Sequence, residues 1–232
     1  MKYENIIKGR FIERPNRFIA RVEINGEAKT VHVKNTGRCK ELLREGCTVY
    51  LEKSGNPLRK TGYDLVAVEK QREGKPPLLI NIDSQIPNAA AEEWLKKCGI
   101  FSENAVIRRE VKYGASRFDF YIEDGERKVF LEVKGVTLEN DGVAMFPDAP
   151  TERGVKHINE LIGCISDGYE AYILFVIQMK EVSLFMPNYK THPGFGNALC
   201  EAEKAGVKII AVDCVITDDS IEIDSEVCVK LK

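Results

Sequence analysis

Apolar and polar positions alternate in short blocks through the first third of the chain. Residues 6–13 and 17–24 alternate, Asn25-Gly26 supplies a two-residue turn, and 28–34 alternate again, a pattern that predicts a β-meander. After Asn35-Thr36-Gly37, residues 39–45 closed by Gly46 read as a short helix, and 48–53 and 63–69 as two further strands. Three strands, a short helix and two strands is the order of an OB-fold β-barrel, a common oligonucleotide binder. The polar, helix-breaking run 71–77 predicts a linker, which places a barrel over residues 1–84 and a second domain over 85–232.

In the second part the period changes. Asn88 predicts the cap of a helix reaching about Cys98, followed by strands at 105–113, 117–122 and 129–134 and a helix after Thr151. A strand at 171–178, a helix at 197–205 and a strand at 208–213 complete the pattern. Helix, three strands, helix, strand is the core of a restriction-endonuclease-like α/β domain with a mixed central sheet.

Strand period two places Glu132 and Lys134 on one face and Leu131 and Val133 on the other. The same alternation sets Asp119 with Arg117 and Tyr121, opposite Phe118, Phe120 and Ile122. If Gly125-Glu126 makes a type II′ turn, the hairpin register brings Asp119 directly across from Glu132. Facing carboxylates repel unless a proton or cation lies between them, and a hard divalent ion accepts such a pair together with waters and phosphate oxygens. Asp119, Glu132 and the Val133 carbonyl therefore form a candidate Mg²⁺ or Mn²⁺ shell. Lys134 is placed to orient the attacking water or stabilise charge on a phosphate.

Other polar residues extend this site. Glu93, on the helix after Asn88, is a candidate further ligand. In the helix after Thr151, Val155, Ile158, Leu161, Ile162 and Ile165 form an apolar stripe, leaving Arg153 and His157 on the opposite side to face phosphate. Gln178 ends an apolar strand, where a lone amide can reach the site and contact nucleic acid or merely cap the strand. His32 and His192 have no ligand-type neighbours at metal spacing and read as structural, and the loop 145–150 reads as semi-rigid and bordering the groove.

Charge sharpens this division. Residues 1–84 hold 17 Lys and Arg against 11 Asp and Glu, a balance of +6, and the remainder 17 against 25, a balance of −8, within a net −2. A basic module beside an acidic one suits a binding platform joined to a metal site. The seven cysteines are scattered without Cys-x-x-Cys spacing and read as reduced, mostly buried thiols. With no run of about 18 apolar residues and no leader pattern, the sequence predicts a soluble, cytoplasmic protein without membrane contact.

The chain resembles the sugar fermentation stimulation protein A family along nearly its whole length. The resemblance lies in Arg14-Pro15-Asn16-Arg17-Phe18, Asn35-Thr36-Gly37-Arg38, Glu110-Val111-Lys112-Tyr113-Gly114, residues 132–138, and Phe146-Pro147-Asp148-Ala149 with Thr151-Glu152-Arg153-Gly154. It implies an N-terminal OB-fold, a C-terminal nuclease domain of the PD-(D/E)XK type, and nucleic-acid binding. Phe118 stands where the superfamily label has proline before the aspartate. Arg14, Arg17 and Arg38, in the two Arg-containing motifs, are the candidate backbone-binding residues of the barrel. Two functions follow: a divalent-metal-dependent nuclease acting on DNA or RNA, or a non-catalytic nucleic-acid-binding regulator linked to sugar-metabolism gene expression. The sequence leaves the oligomeric state open, a homodimer included.

Overall fold

Alternation closes into a ring in the first part of the chain. In the computed structural model, which describes residues 1–35, 37 and 39–232, six strands share one sheet: β1 (Ile6–Asn16), β2 (Ile19–Ile24), β3 (Glu27–Val33), β4 (Thr48–Lys53), β5 (Tyr63–Arg72) and β6 (Lys75–Asn81). Their order is β3-β2-β1-β4-β5-β6, and a parallel pairing of β3 with β5 through His32↔Asp64 and Val33↔Leu65 closes the barrel. The long β1 serves two partners, β4 along its first half and β2 along its second, and bends at register shifts between Phe11 and Asn16. Asn25 and Gly26 take φ of 52° and 82°, as a type I′ turn requires.

Two expectations fail in this region. Residues 39–45 form turns and not a helix: Cys39 adopts a left-handed φ of 46°, and a segment this short does not repay helix nucleation without a packed face. Residues 71–77 are not a linker but a hairpin, with Arg72 paired to Lys75 around Glu73-Gly74. Pro76 and Pro77 are tolerated because they fall at a register shift of an edge strand, between the Arg72↔Lys75 and Lys70↔Leu78 pairs, where neither is a paired position.

The second part contains α1 (Ile86–Leu95), β7 (Val106–Tyr113), β8 (Ser116–Asp124), β9 (Arg127–Val136), β10 (Leu138–Asn140), β11 (Val143–Phe146), α2 (Glu152–Ser166), β12 (Glu170–Ile177), β13 (Leu184–Pro187), α3 (Pro193–Ala205), β14 (Lys208–Ile216), β15 (Ile221–Glu226) and β16 (Cys228–Val229). The central sheet runs β15-β14-β12-β9-β8-β7; β12 is parallel to β9 and β14, and the other pairings are antiparallel. The mixed α/β architecture is thus as expected. The short strands β10, β11, β13 and β16 form a separate small sheet that the sequence pattern does not announce.

Helices cover both faces of the central sheet. Ala90, Ala91 and Trp94 of α1 pack with Phe120, Leu131 and Val133, while Ile158 and Leu161 of α2 and Phe195 of α3 pack with Phe130 and Phe175. The first cluster also takes in Tyr3, Tyr50, Val66 and Ala67 of the barrel, so apolar packing is continuous between the two halves. Thr151 caps α2, its Oγ1 accepting from Gly154 N at 3.0 Å. Five of the seven cysteines are buried, and all are free thiols. Among the described residues, no helix is long and apolar enough to cross a membrane.

Candidate active site

The β8–β9 hairpin has the expected register. Gly125 takes φ of 63°, and the ladder runs from Asp124↔Arg127 to Phe120↔Leu131. In the same register the next two residues across the strands are Asp119 and Glu132. Here the ladder stops. Val133 N–H, which unbroken pairing would offer to the Phe118 carbonyl, donates instead to Asp119 Oδ2 at 2.7 Å. The expected alternation breaks at the same point: Phe118 lies on the α2 side, 5.5 Å from the Phe130 ring and 6.2 Å from His157, whereas Phe120 and Ile122 pack on the α1 side. Asn88 of α1 donates its side-chain amide to Asp119 Oδ1 at 2.7 Å.

Glu132 is only 3% exposed. Its Oε1 accepts from His157 Nδ1 at 2.5 Å and from the Lys134 ammonium, while Oε2 is buried without a hydrogen-bond partner among the described residues. Arg153 Nε donates to His157 Nε2 at 3.3 Å, so the ring donates through one nitrogen and accepts at the other. Burial, and then the facing Glu132, push the Asp119 carboxyl up to about 6. Burial also works against the Glu132 charge, but the His157 hydrogen bond and the Lys134 ammonium outweigh it and hold this carboxyl below its ordinary range.

The two carboxylates lie in an open depression of about 420 Å³, lined also by Lys112, Arg117, Arg153 and Glu110. The cluster therefore brings together Asp119, Glu132, Lys134, His157 and Arg153. Val133 contributes the N–H that holds Asp119. The orientation of α2 differs from the expected one: its buried residues are Gly154, His157, Ile158, Leu161 and Cys164, so His157 belongs to the packed stripe and reaches Glu132, not solvent phosphate.

Several expected residues lie elsewhere. Glu93 is exposed and bonded to the Met1 ammonium at 2.7 Å; five residues on from Asn88, it points about 140° away around the helix. Gln178 is 1% exposed, and its Nε2 donates to Asn81 O, Asn81 Oδ1 and Asp83 O, joining β12 to the end of β6. Arg14 donates to the backbone carbonyls of Arg17, Asn35 and Gly37. Arg17 is exposed on the β1–β2 turn, and Arg38 lies outside the described residues. His32 and His192 are engaged by Asp64 and by Thr151 N and Glu152, as structural residues would be.

Sequence reasoning missed Asn88 as an aspartate partner because its residue type and position mark it as a cap. The observed N-cap is Gln85, and Asn88 lies inside the helix. Glu110 was also missed. Its φ of 56°, unusual for a residue with a side chain, marks the bend of β7 at the rim of the depression, and no local sequence feature announces it.

A divalent cation fits these residues. Among the described residues no group of three or more His, Cys, Asp or Glu side chains is arranged to hold a metal. Two carboxylates with waters, however, are an ordinary protein contribution to a Mg²⁺ shell. The buried Glu132 Oε2, without a hydrogen-bond partner among the described residues, and the neighbouring Asp119 carboxyl form an acceptor set that a divalent cation would satisfy.

Comparison with known proteins agrees with both halves of the molecule. Residues 12–75 match the family model described as the SfsA N-terminal OB domain, and residues 85–220 the model described as the sugar fermentation stimulation protein RE domain. Proteins named sugar fermentation stimulation protein homolog are 57% identical in Desulfitobacterium hafniense, over 100% of this chain and 99% of the relative, and 56% identical in Ruminiclostridium cellulolyticum, over 100% of both. The structure of Pyrococcus furiosus SfsA in complex with Ca²⁺ superposes with a TM-score of 0.86 at 32% identity, covering 99% of this chain and 98% of that one. On the barrel, the mixed sheet and these matches, the chain belongs to the sugar fermentation stimulation protein family.

Proposed function

We propose that this protein is a divalent-metal-dependent nuclease hydrolysing phosphodiester bonds of DNA or RNA. The observation that carries this reading is the Asp119–Glu132 pair, with one carboxylate oxygen buried and without a partner among the described residues, in a depression that opens between Lys112, Arg117 and Arg153. Asp119, Glu132 and the Val133 carbonyl would hold Mg²⁺ or Mn²⁺. A bound cation supplies Lewis-acid polarisation of the phosphate and a more acidic water. The Ca²⁺ in the Pyrococcus furiosus structure supports a hard divalent ion, since Ca²⁺ and Mg²⁺ share oxygen ligands.

The chain's own groups have separable tasks. Asn88 and Val133 N–H fix both oxygens of Asp119. His157 fixes one oxygen of Glu132 and leaves the other for the cation, and Arg153 holds His157 from behind. Lys134 neutralises Glu132 and carries the ammonium that orients water or meets charge developing on the phosphate. Arg117, Lys112 and the exposed Arg17 of the barrel contribute the positive surface that a polyanion needs.

The test is cleavage of labelled single- and double-stranded DNA and RNA with Mg²⁺, Mn²⁺ or EDTA. Wild type should cut only with metal. Asp119→Asn and Glu132→Gln should lose cleavage and metal binding while keeping nucleic-acid binding; Lys134→Ala should lose cleavage but still bind metal. Undiminished cleavage by purified Glu132→Gln would sink the mechanism. Absence of cleavage by wild type on every substrate would leave a nucleic-acid-binding regulator as the better reading.

A further inference from the structure

The turn between β1 and β2 presents an aromatic ring to solvent from a backbone held at several points. Among the described residues, Phe18 is the only aromatic in the exposed set of large hydrophobics, at 47% exposure. Asn16 Oδ1 accepts from Phe18 N at 2.9 Å and Ile19 N at 3.1 Å, and the Phe18 carbonyl accepts from Val33 N at 2.8 Å. Arg14 ties the same turn to the β3–β4 loop, donating to the carbonyls of Arg17 at 2.7 Å, Asn35 at 2.5 Å and Gly37 at 2.7 Å. The ring is thus exposed by a built turn and not by a loose one.

Its surroundings suit a flat, electron-rich, anionic ligand. The Arg17 guanidinium lies 4.8 Å from the Phe18 ring centroid. Asn16 and Arg17 of the same turn line a pocket of about 370 Å³ that has Phe11 and Leu43 as apolar lining and Arg17 and Lys40 as exposed cations, with no carboxylate among the described residues that line it. An aromatic surface beside cations is how proteins hold unpaired bases, the ring taking the base face and the cations the backbone. Duplex offers no free base face, because each base is already stacked on its neighbours.

We infer that Phe18 and the adjoining pocket form a stacking site for an unpaired nucleobase, with Arg17 and Lys40 taking the flanking phosphates. The barrel then selects single strands. This rests on the nucleic-acid reading proposed above and adds to it a strand preference and a contact residue.

The experiment uses the full chain in EDTA, with a labelled single-stranded oligonucleotide and the same strand annealed to its complement. Wild type binds the single strand more tightly. Phe18→Ala weakens single-strand binding about tenfold, as loss of one base stack does, and leaves the duplex affinity, the melting temperature and the salt dependence unchanged, because the ring is exposed and uncharged. Phe18→Trp keeps the affinity. With Trp94 buried as the only other tryptophan, its emission is quenched when the oligonucleotide binds. Wild-type single-strand affinity in Phe18→Ala together with an unquenched Phe18→Trp overturns the stacking site while leaving the nucleic-acid reading intact. Failure of wild type to bind any nucleic acid overturns both. A change in sedimentation of Phe18→Ala, with oligonucleotide affinity unchanged, assigns the ring to a protein contact and overturns the proposal as well.

Discussion

Two carboxylate clusters in this molecule use similar residues, yet their aspartates are shifted in opposite directions. In the barrel, Asp64 is 4% exposed and receives Arg59 through both terminal guanidinium nitrogens at 2.8 and 2.6 Å, His32 at 2.9 Å and Lys34 at 3.6 Å. Burial alone would raise its proton affinity, but these partners bring the carboxyl down to about 2. In the central sheet, Asp119 faces another carboxylate and is pushed up to about 6, and Glu132 keeps one oxygen without a hydrogen-bond partner among the described residues. Asp64 is saturated by cationic partners, whereas Asp119 accepts only from the Asn88 amide and the Val133 N–H and faces a second carboxylate. On the proposed function, the first cluster is scaffold and the second is the metal site.

The largest test of that comparison is stability. Asp64→Asn leaves Arg59 and Lys34 without their shared anion and should cost about 3 kcal/mol in denaturant unfolding. Asp119→Asn in EDTA should cost little or nothing, since it also removes a like-charge contact. Equal losses would break the comparison.

The next effect is in the pH dependence without metal, where the two aspartates should act with opposite sign. Asp64 is depressed from 3.8, so its contribution is fully present above about pH 4 and is lost as pH falls through about 2. Asp119 is raised from 3.8, so its contribution is fully present below about pH 4 and is lost as pH rises through about 6. Each change is worth about 2 to 3 kcal/mol. Between about pH 4 and 7 the stability of Asp119→Asn should therefore gain on wild type, and below about pH 4 the deficit of Asp64→Asn should shrink. The new amide sets the offset of each curve but not its slope. Parallel curves for wild type and Asp119→Asn would show that Asp119 carries no burden in the apo protein.

A smaller effect concerns His157. His157→Ala should weaken Mn²⁺ binding by about 10- to 100-fold in calorimetric titration, the usual range for a residue that orients a ligand. His157→Gln, which can still donate to Glu132, should recover part of it. A merely structural role would leave Mn²⁺ affinity unchanged in both variants.

The parts of this site legible in the sequence are those governed by local period and turn chemistry. Gly125 and the alternation of β9 determine the hairpin register, so local rules alone suffice to set Asp119 opposite Glu132. The break at Phe118 was not legible, because it arises when the Asp119 side chain takes the Val133 N–H from the ladder. Charge marks Glu93 as a ligand candidate and residue type marks Asn88 as a cap; the helix start at Ile86 and the packing of Ala90 and Trp94 determine which side faces the sheet. Similarly, Pro76-Pro77 resembled a linker because edge position, which makes the strand possible, is a tertiary property. Arg14 resembled a phosphate ligand because the three carbonyls it holds come from two separate loops. The small sheet of β10, β11, β13 and β16 has strands of two to four residues, too short to show a period.

The central claim is the proposed divalent-cation site at Asp119 and Glu132, and thermal unfolding with and without divalent metal tests it most directly. Metal at about 100 times its dissociation constant should stabilise wild type by about 2.7 kcal/mol, seen as a rise in Tm with Mn²⁺ or Mg²⁺ that EDTA reverses. Asp119→Asn and Glu132→Gln should unfold at the same temperature with metal as without, while Asp64→Asn, though less stable, should keep the full rise. A metal-dependent rise that survives in Glu132→Gln, or its absence in wild type, would contradict the account.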